Sequence, residues 1–159
     1  MSRLTVGSIE GLTENSNVIS VPTGHTLNAV DGLQIGGVGV GEWNTWTPTI
    51  STTGGTITSG TLGLARYSQV GNLIFARLRY SVTTAGTATG TQLNFTLPVA
   101  LSSTYSNNDA LGTGRETAVT GYGFNVFVNG SQATTQFYDG SGWIQNGRTA
   151  SIVLLYEVD

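Results

Sequence analysis

Asn72-Leu-Ile-Phe-Ala-Arg-Leu-Arg-Tyr-Ser-Val82 alternates with period two, so that Ile74, Ala76, Leu78, Tyr80 and Val82 share one face and Leu73, Phe75, Arg77, Arg79 and Ser81 the other. Successive side chains of a strand point to opposite sides, so this run predicts a strand with one apolar core face and one mixed face. The rest of the body reads the same way. Short runs rich in Thr, Val, Ile, Tyr and Phe sit between Gly, Asn and Asp turn signals, which predicts strands near 43–50, 56–60, 64–70, 72–82, 92–97, 110–114, 118–128, 132–138 and 149–158. Asn129-Gly130, between two apolar runs, predicts a hairpin with a type I′ turn; Asp139-Gly140 and Asn146-Gly147 supply two further turns. The last run, Ser151 to Val158, is apolar on both faces, as expected of a central strand covered on both sides or sealed at a subunit contact. The fold expected is all-β: an antiparallel, jelly-roll-like β-sandwich body.

Composition agrees with that reading. Only 9% of the 159 residues are charged, against about 25% in an average soluble protein, while 23 are Gly. There is no Lys and no Cys. The six Arg (Arg3, Arg66, Arg77, Arg79, Arg115, Arg148) are scattered along the chain and the formal net charge is −3, so the sequence offers no concentrated basic footprint for nucleic acid. Disulfides and thiolate metal sites are excluded. The opening Met1-Ser-Arg-Leu-Thr-Val-Gly7 has no apolar run behind its Arg, and Ile152 to Tyr156 is far too short to span a bilayer, so neither a secretory signal nor a membrane span is expected.

Residues 1–42 differ in character from 43–159. Their apolar residues come in short bursts broken by Gly, Asn, Ser and Pro22, with no aromatic residue, and they end in the Gly-alternating Gly36-Gly-Val-Gly-Val-Gly41. Such a segment cannot bury enough apolar surface by itself to offset its ordering entropy. It is expected to be an extended attachment arm with a Gly-rich neck, docking through Leu4, Val6, Ile9, Leu12, Val18, Ile19, Val21, His25 and Leu27. The aromatic-rich body begins at Trp43.

The chain offers little to catalysis. His25 is the only histidine, without a second His or a Cys to complete a base or metal site. No local pattern pairs carboxylates as glycoside hydrolysis needs; Asp109 and Glu116, flanking a Gly-rich turn, are the best candidates, and the bland reading makes them solvated or Arg-paired. Asn107-Asn-Asp109 lacks the carboxylate count of a calcium loop and reads as a turn. Gly37-Val-Gly-Val-Gly41 leads into Glu42-Trp43 with no helix to aim at a phosphate. No catalytic residue, cofactor or metal is therefore expected. Among the aromatics, Tyr105, Tyr122, Tyr138 and Trp143 could stack on sugar rings, while Trp43 and Trp46 are expected to close the neck end of the body.

Leu4-Thr-Val6, Ile9-Glu-Gly-Leu12 and Asn17-Val-Ile-Ser-Val-Pro-Thr-Gly-His-Thr-Leu27 resemble the N-terminal attachment segments of tailed-bacteriophage virion-surface proteins. In the body, Trp46-Thr-Pro-Thr-Ile50, Ala65-Arg-Tyr-Ser-Gln-Val-Gly-Asn-Leu-Ile-Phe75 and Phe95-Thr-Leu-Pro-Val99 are similar, in that order, to a pattern of head-decoration (cement) proteins and tail-fibre knobs. From about residue 100 the likeness is one of style. The resemblance implies a virion structural protein assembled in the host cytoplasm and exposed on the virion surface, a homotrimer without nucleic-acid or membrane partners. Two tasks are open under it: docking on the phage major capsid protein as a decoration protein, or meeting tail or baseplate proteins and a host surface glycan as a receptor-binding fibre or fibre-tip knob.

Overall fold

A computed structural model describes residues 41–159, together with a short antiparallel ladder between Gln34–Ile35 (β1) and Val38–Gly39 (β2). The expected arm residues Leu4, Val6, Ile9, Leu12, Val18, Ile19, Val21, His25 and Leu27 lie outside the described residues.

The body is all-β. Its strands are Asn44–Thr45 (β3), Ile50–Thr52 (β4), Ser59–Val70 (β5), Leu73–Thr84 (β6), Leu93–Thr96 (β7), Ala110–Glu116 (β8), Gly123–Asn129 (β9), Gln132–Phe137 (β10) and Thr149–Glu157 (β11). They form one antiparallel sheet in the order β3-β5-β6-β11-β8-β9-β10-β7-β4. Where a sandwich of two facing sheets was expected, a single sheet curls into a half-barrel. Its two outermost strands, β3 and β4, belong to one segment: the Trp46 amide donates to the Ala65 carbonyl on one side, and the Thr96 amide to the Thr49 carbonyl on the other. The 44–52 segment thus reaches both edges of the sheet, and the run expected as one strand is split between them.

The core lies on the concave side. Ile74, Ala76, Leu78, Tyr80 and Val82 of β6 are all buried, as the alternation predicts, and face the same interior as Ala150, Ile152, Leu154 and Tyr156 of β11 and Phe124, Val126 and Val128 of β9. Trp143 is completely buried; it stacks on Phe124 with ring centroids 5.9 Å apart, and its indole N–H donates to Thr135 Oγ1 at 2.6 Å. A buried indole without that acceptor would be costly, so Thr135 is what admits the ring to the core.

The turns carry their own corrections. β9 and β10 form the expected hairpin, but Gln132 pairs with Asn129, so the central residues are Gly130 and Ser131. Only Gly130 has positive φ, +61°, which is the pattern of a type II′ turn and not of type I′. The runs at 56–60 and 64–70 merge into the single strand β5, with register shifts at Ser59/Gly60 and Leu62/Leu64. β9 starts at Gly123 and not at 118, because the residues before it give their amides to a side chain.

Candidate functional site

That side chain is Glu116. It is fully buried at the end of β8. Oε1 accepts from the amides of Ala118 (2.7 Å), Val119 (3.2 Å) and Thr149 (3.1 Å), while Oε2 accepts from the amides of Val119 (2.9 Å) and Thr120 and from the Thr120 hydroxyl (3.0 Å). Burial alone would raise its pKa; the amides of Thr120, Thr149, Ala118 and Val119 override that and hold it down at about 2. Glu116 is therefore a buried anion around which the 117–121 loop is wound, and neither the solvated group nor the Arg partner expected. Asp109 is exposed and caps its own turn, accepting from the Ser106 amide at 2.7 Å. Asn107 accepts from the Gly130 amide at 2.7 Å and Asn108 takes a positive φ of 73°, so the Asn-Asn-Asp run serves turns. Among the described residues no three His, Cys, Asp or Glu side chains come together.

The four candidate sugar-stacking aromatics separate. Trp143 is core and cannot meet a ligand. Tyr105 is half-buried, with its hydroxyl accepting from the Glu157 amide at 3.1 Å. Tyr122 and Tyr138 are the exposed pair, 58% and 82% accessible, with Tyr122 edge-on to Phe137. Of the two tryptophans expected at the neck end, Trp46 is half-buried and donates to the Thr96 carbonyl at 3.3 Å. Trp43 is exposed on the outer face.

That outer face, across β5, β6 and β11, is where the structure gathers most. Register places its side chains in rows. Nearest the Gly71-Asn72 turn, Val70 lies opposite Leu73, which lies opposite Glu157. The next row holds Ser68, Phe75 and Leu155; the third Arg66, Arg77 and Val153; the fourth Leu64, Arg79 and Ser151, continued on β8 by Arg115. Leu73, Phe75 and Leu155 are 44%, 39% and 53% exposed. Trp43 meets Phe75 edge-on at 5.6 Å, and the Arg66 guanidinium lies over the Trp43 ring, 5.3 Å from its centroid, a cation–π contact. Four of the six arginines, Arg66, Arg77, Arg79 and Arg115, thus share one surface beside an apolar band. Counting back from a two-residue turn at Gly71-Asn72 would have set Arg66 opposite Arg77, so part of this was readable; Arg115 depends on the β11–β8 pairing and was not.

No family model, no curated protein and no solved structure matches this chain.

Proposed function

We propose that the chain is a non-enzymatic structural protein of a tailed-phage virion: a homotrimeric capsid-decoration protein that docks on the major capsid protein and stabilises the head. The observation that best supports this is the outer sheet face. Leu73, Phe75, Val153 and Leu155 stand together on neighbouring strands with Trp43, just before β3, against Phe75, where an ordinary monomer surface scatters its large apolar residues. Aromatic residues and Arg, without Lys, are also the composition that fits the core of a protein interface. On this reading the half-barrel body packs against copies of itself through the apolar band, and the N-terminal arm grips the shell. Particles lacking the protein should release DNA at lower temperature than complete ones while adsorbing to host cells at a near-normal rate, because a ligand of the mature shell stabilises it by mass action.

A receptor-binding fibre or fibre-tip knob is the second reading, favoured by Tyr122 and Tyr138, two exposed rings that flank the Phe124–Phe137 end of the β9–β10 ladder. Unchanged heat resistance together with lost adsorption would select it and refute decoration.

A further inference from the structure

We propose that Arg77, Arg79 and Arg115, with the hydroxyls between them, form a binding site for an anionic polysaccharide, one that carries carboxylate or sulfate groups. The inference goes beyond the structural role above, since a decorated head and a fibre could each carry such a site.

A groove of about 330 Å³ runs over the outer face, lined by Leu64, Arg77, Arg79, Thr117 and Ser151. Ser151 lies between Arg79 on β6 and Arg115 on β8, directly opposite both. The Arg115 Nε donates to the Gly121 carbonyl at 2.9 Å, which ties that guanidinium to the Glu116-wound loop and limits the ordering a ligand must impose. Arg66 stands directly across from Arg77. Like charges directly opposite on adjacent strands are destabilising, and no acidic residue occupies either of the two Arg rows. An anion laid along these rows relieves that repulsion and gains charge-assisted hydrogen bonds.

Spacing selects a polymer over a small ion. Arg77 and Arg79 are two residues apart on one strand, roughly 7 Å, and Arg79 and Arg115 are two strand spacings apart, roughly 10 Å. With the Arg115 guanidinium held at the Gly121 carbonyl and the other two on β6, separate charges along a chain match the three groups better than one small anion does. The character of the gaps selects a saccharide over an acidic peptide. Ser151 stands between Arg79 and Arg115, with Thr113 and Thr117 one row to either side; the Ser151 hydroxyl can donate to and accept from sugar hydroxyls, while Thr113 and Thr117, which donate to the Phe124 and Thr149 carbonyls, keep lone pairs that accept from them. Carboxylate side chains only accept, so they would leave these lone pairs without a donor.

The test is equilibrium binding of the full chain, at low and at physiological salt, to polygalacturonate, dextran sulfate, unmodified dextran, poly-glutamate and a short DNA duplex. Binding is expected to polygalacturonate or dextran sulfate, with the better of the two naming the anion, and to fall with salt. Unmodified dextran should not bind, and poly-glutamate and DNA should bind at least about tenfold more weakly. The double variant R77Q/R79Q should lose about tenfold or more in affinity while keeping its thermal transition, since both side chains are exposed; R115Q alone should lose less. The proposal is overturned if neither charged saccharide binds, if poly-glutamate or DNA binds as tightly as they do, or if R77Q/R79Q binds unchanged.

Discussion

Replacing Glu116 by Gln tests whether a single buried carboxylate organises the end of the body. The carboxylate is fully buried and receives amides from Ala118, Val119, Thr120 and Thr149. Its pKa, lowered from 4.5 to about 2, means that the folded protein prefers the anion by roughly 3 kcal/mol, taking about 1.4 kcal/mol for each tenfold in the proton equilibrium. The sign follows from the direction. The group's folded pKa lies below its unfolded one, so the stabilisation is fully present above about 4.5, shrinks as pH falls below that, and is lost near 2. Gln keeps one acceptor but turns the other into a donor, which then faces amides that also donate. At neutral pH, E116Q should therefore be less stable by about 3 kcal/mol, the scale of losing hydrogen bonds to a charged group in a buried site.

Urea titrations of both proteins at pH 7 and again near pH 3 measure the effect, since the midpoint moves in proportion to stability at constant slope. The difference between the two should be large at pH 7 and smaller at pH 3, where the carboxylate of the unfolded wild type is mostly protonated and that of the folded protein is still ionised. Amide exchange should quicken at Ala118 to Gly121, the residues wound round the anion, before it quickens in β6 or β11. A difference below about 1 kcal/mol at pH 7, or one that does not change with pH, would refute the argument that the carboxylate's charge holds the loop.

Three further outcomes follow from particular contacts. Thr135→Val should cost about 1–3 kcal/mol in a denaturant titration, because it removes the acceptor of the buried Trp143 indole and of the Leu93 amide. Gly112→Ala should prevent cooperative folding or lower the melting temperature sharply, since its Cβ would lie 2.1 Å from the Val153 carbonyl oxygen on the neighbouring strand; Gly123→Ala, whose Cβ would meet only the Gly114 carbonyl oxygen at 3.8 Å, should melt like the wild type. The proposed trimer should sediment as such, and Phe75→Ser with Leu155→Ser should shift it toward monomer without loss of the strand signal in circular dichroism, because both side chains stand on the outer face.

What the sequence disclosed and what it withheld divide along the range of the interactions. The inner row of β6 was legible because alternation is a local consequence of the strand's pleat, and every residue from Ile74 to Val82 expected inside is inside. Turn residues were legible as turns, yet the type at Gly130 depended on the register of Gln132 with Asn129, which the dipeptide does not specify. The 118–122 stretch read as strand because Val119 and Tyr122 suit one; its amides are taken by Glu116, and no propensity reports a side chain that competes for backbone donors. Trp143, set among Ser141, Gly142 and Gln145, read as surface. The missed signal is Gly142, where a Cβ would lie 2.3 Å from the Thr91 backbone, so that close approach of two backbone segments carries the ring inward.

The two faces of β11 show why a doubly apolar strand has two meanings. Ala150, Ile152, Leu154 and Tyr156 are buried within the chain, and β11 lies between β6 and β8, as the expectation of a central strand requires. The fold asks nothing more of it: the core is complete on the inner side, and Thr or Ser at 153 and 155 would pair across the sheet as well as Val and Leu. Val153 and Leu155 are instead large, exposed and adjacent to Phe75, in a chain whose charged content is only 9% and whose solubility has little to spare. Cost without an intramolecular return is the physical case for a partner on the apolar rows. The Arg rows beside them carry the same kind of cost in charge, since Arg66 faces Arg77 with no acid in either row; the Trp43 ring under Arg66 offsets part of it, and an anion would offset more. Apolar surface and like charge are relieved by different chemistries, so the two halves of this face should respond to different perturbations: serine substitutions at Phe75 and Leu155 should move the association state and leave saccharide binding intact, while glutamine at Arg77 and Arg79 should do the reverse.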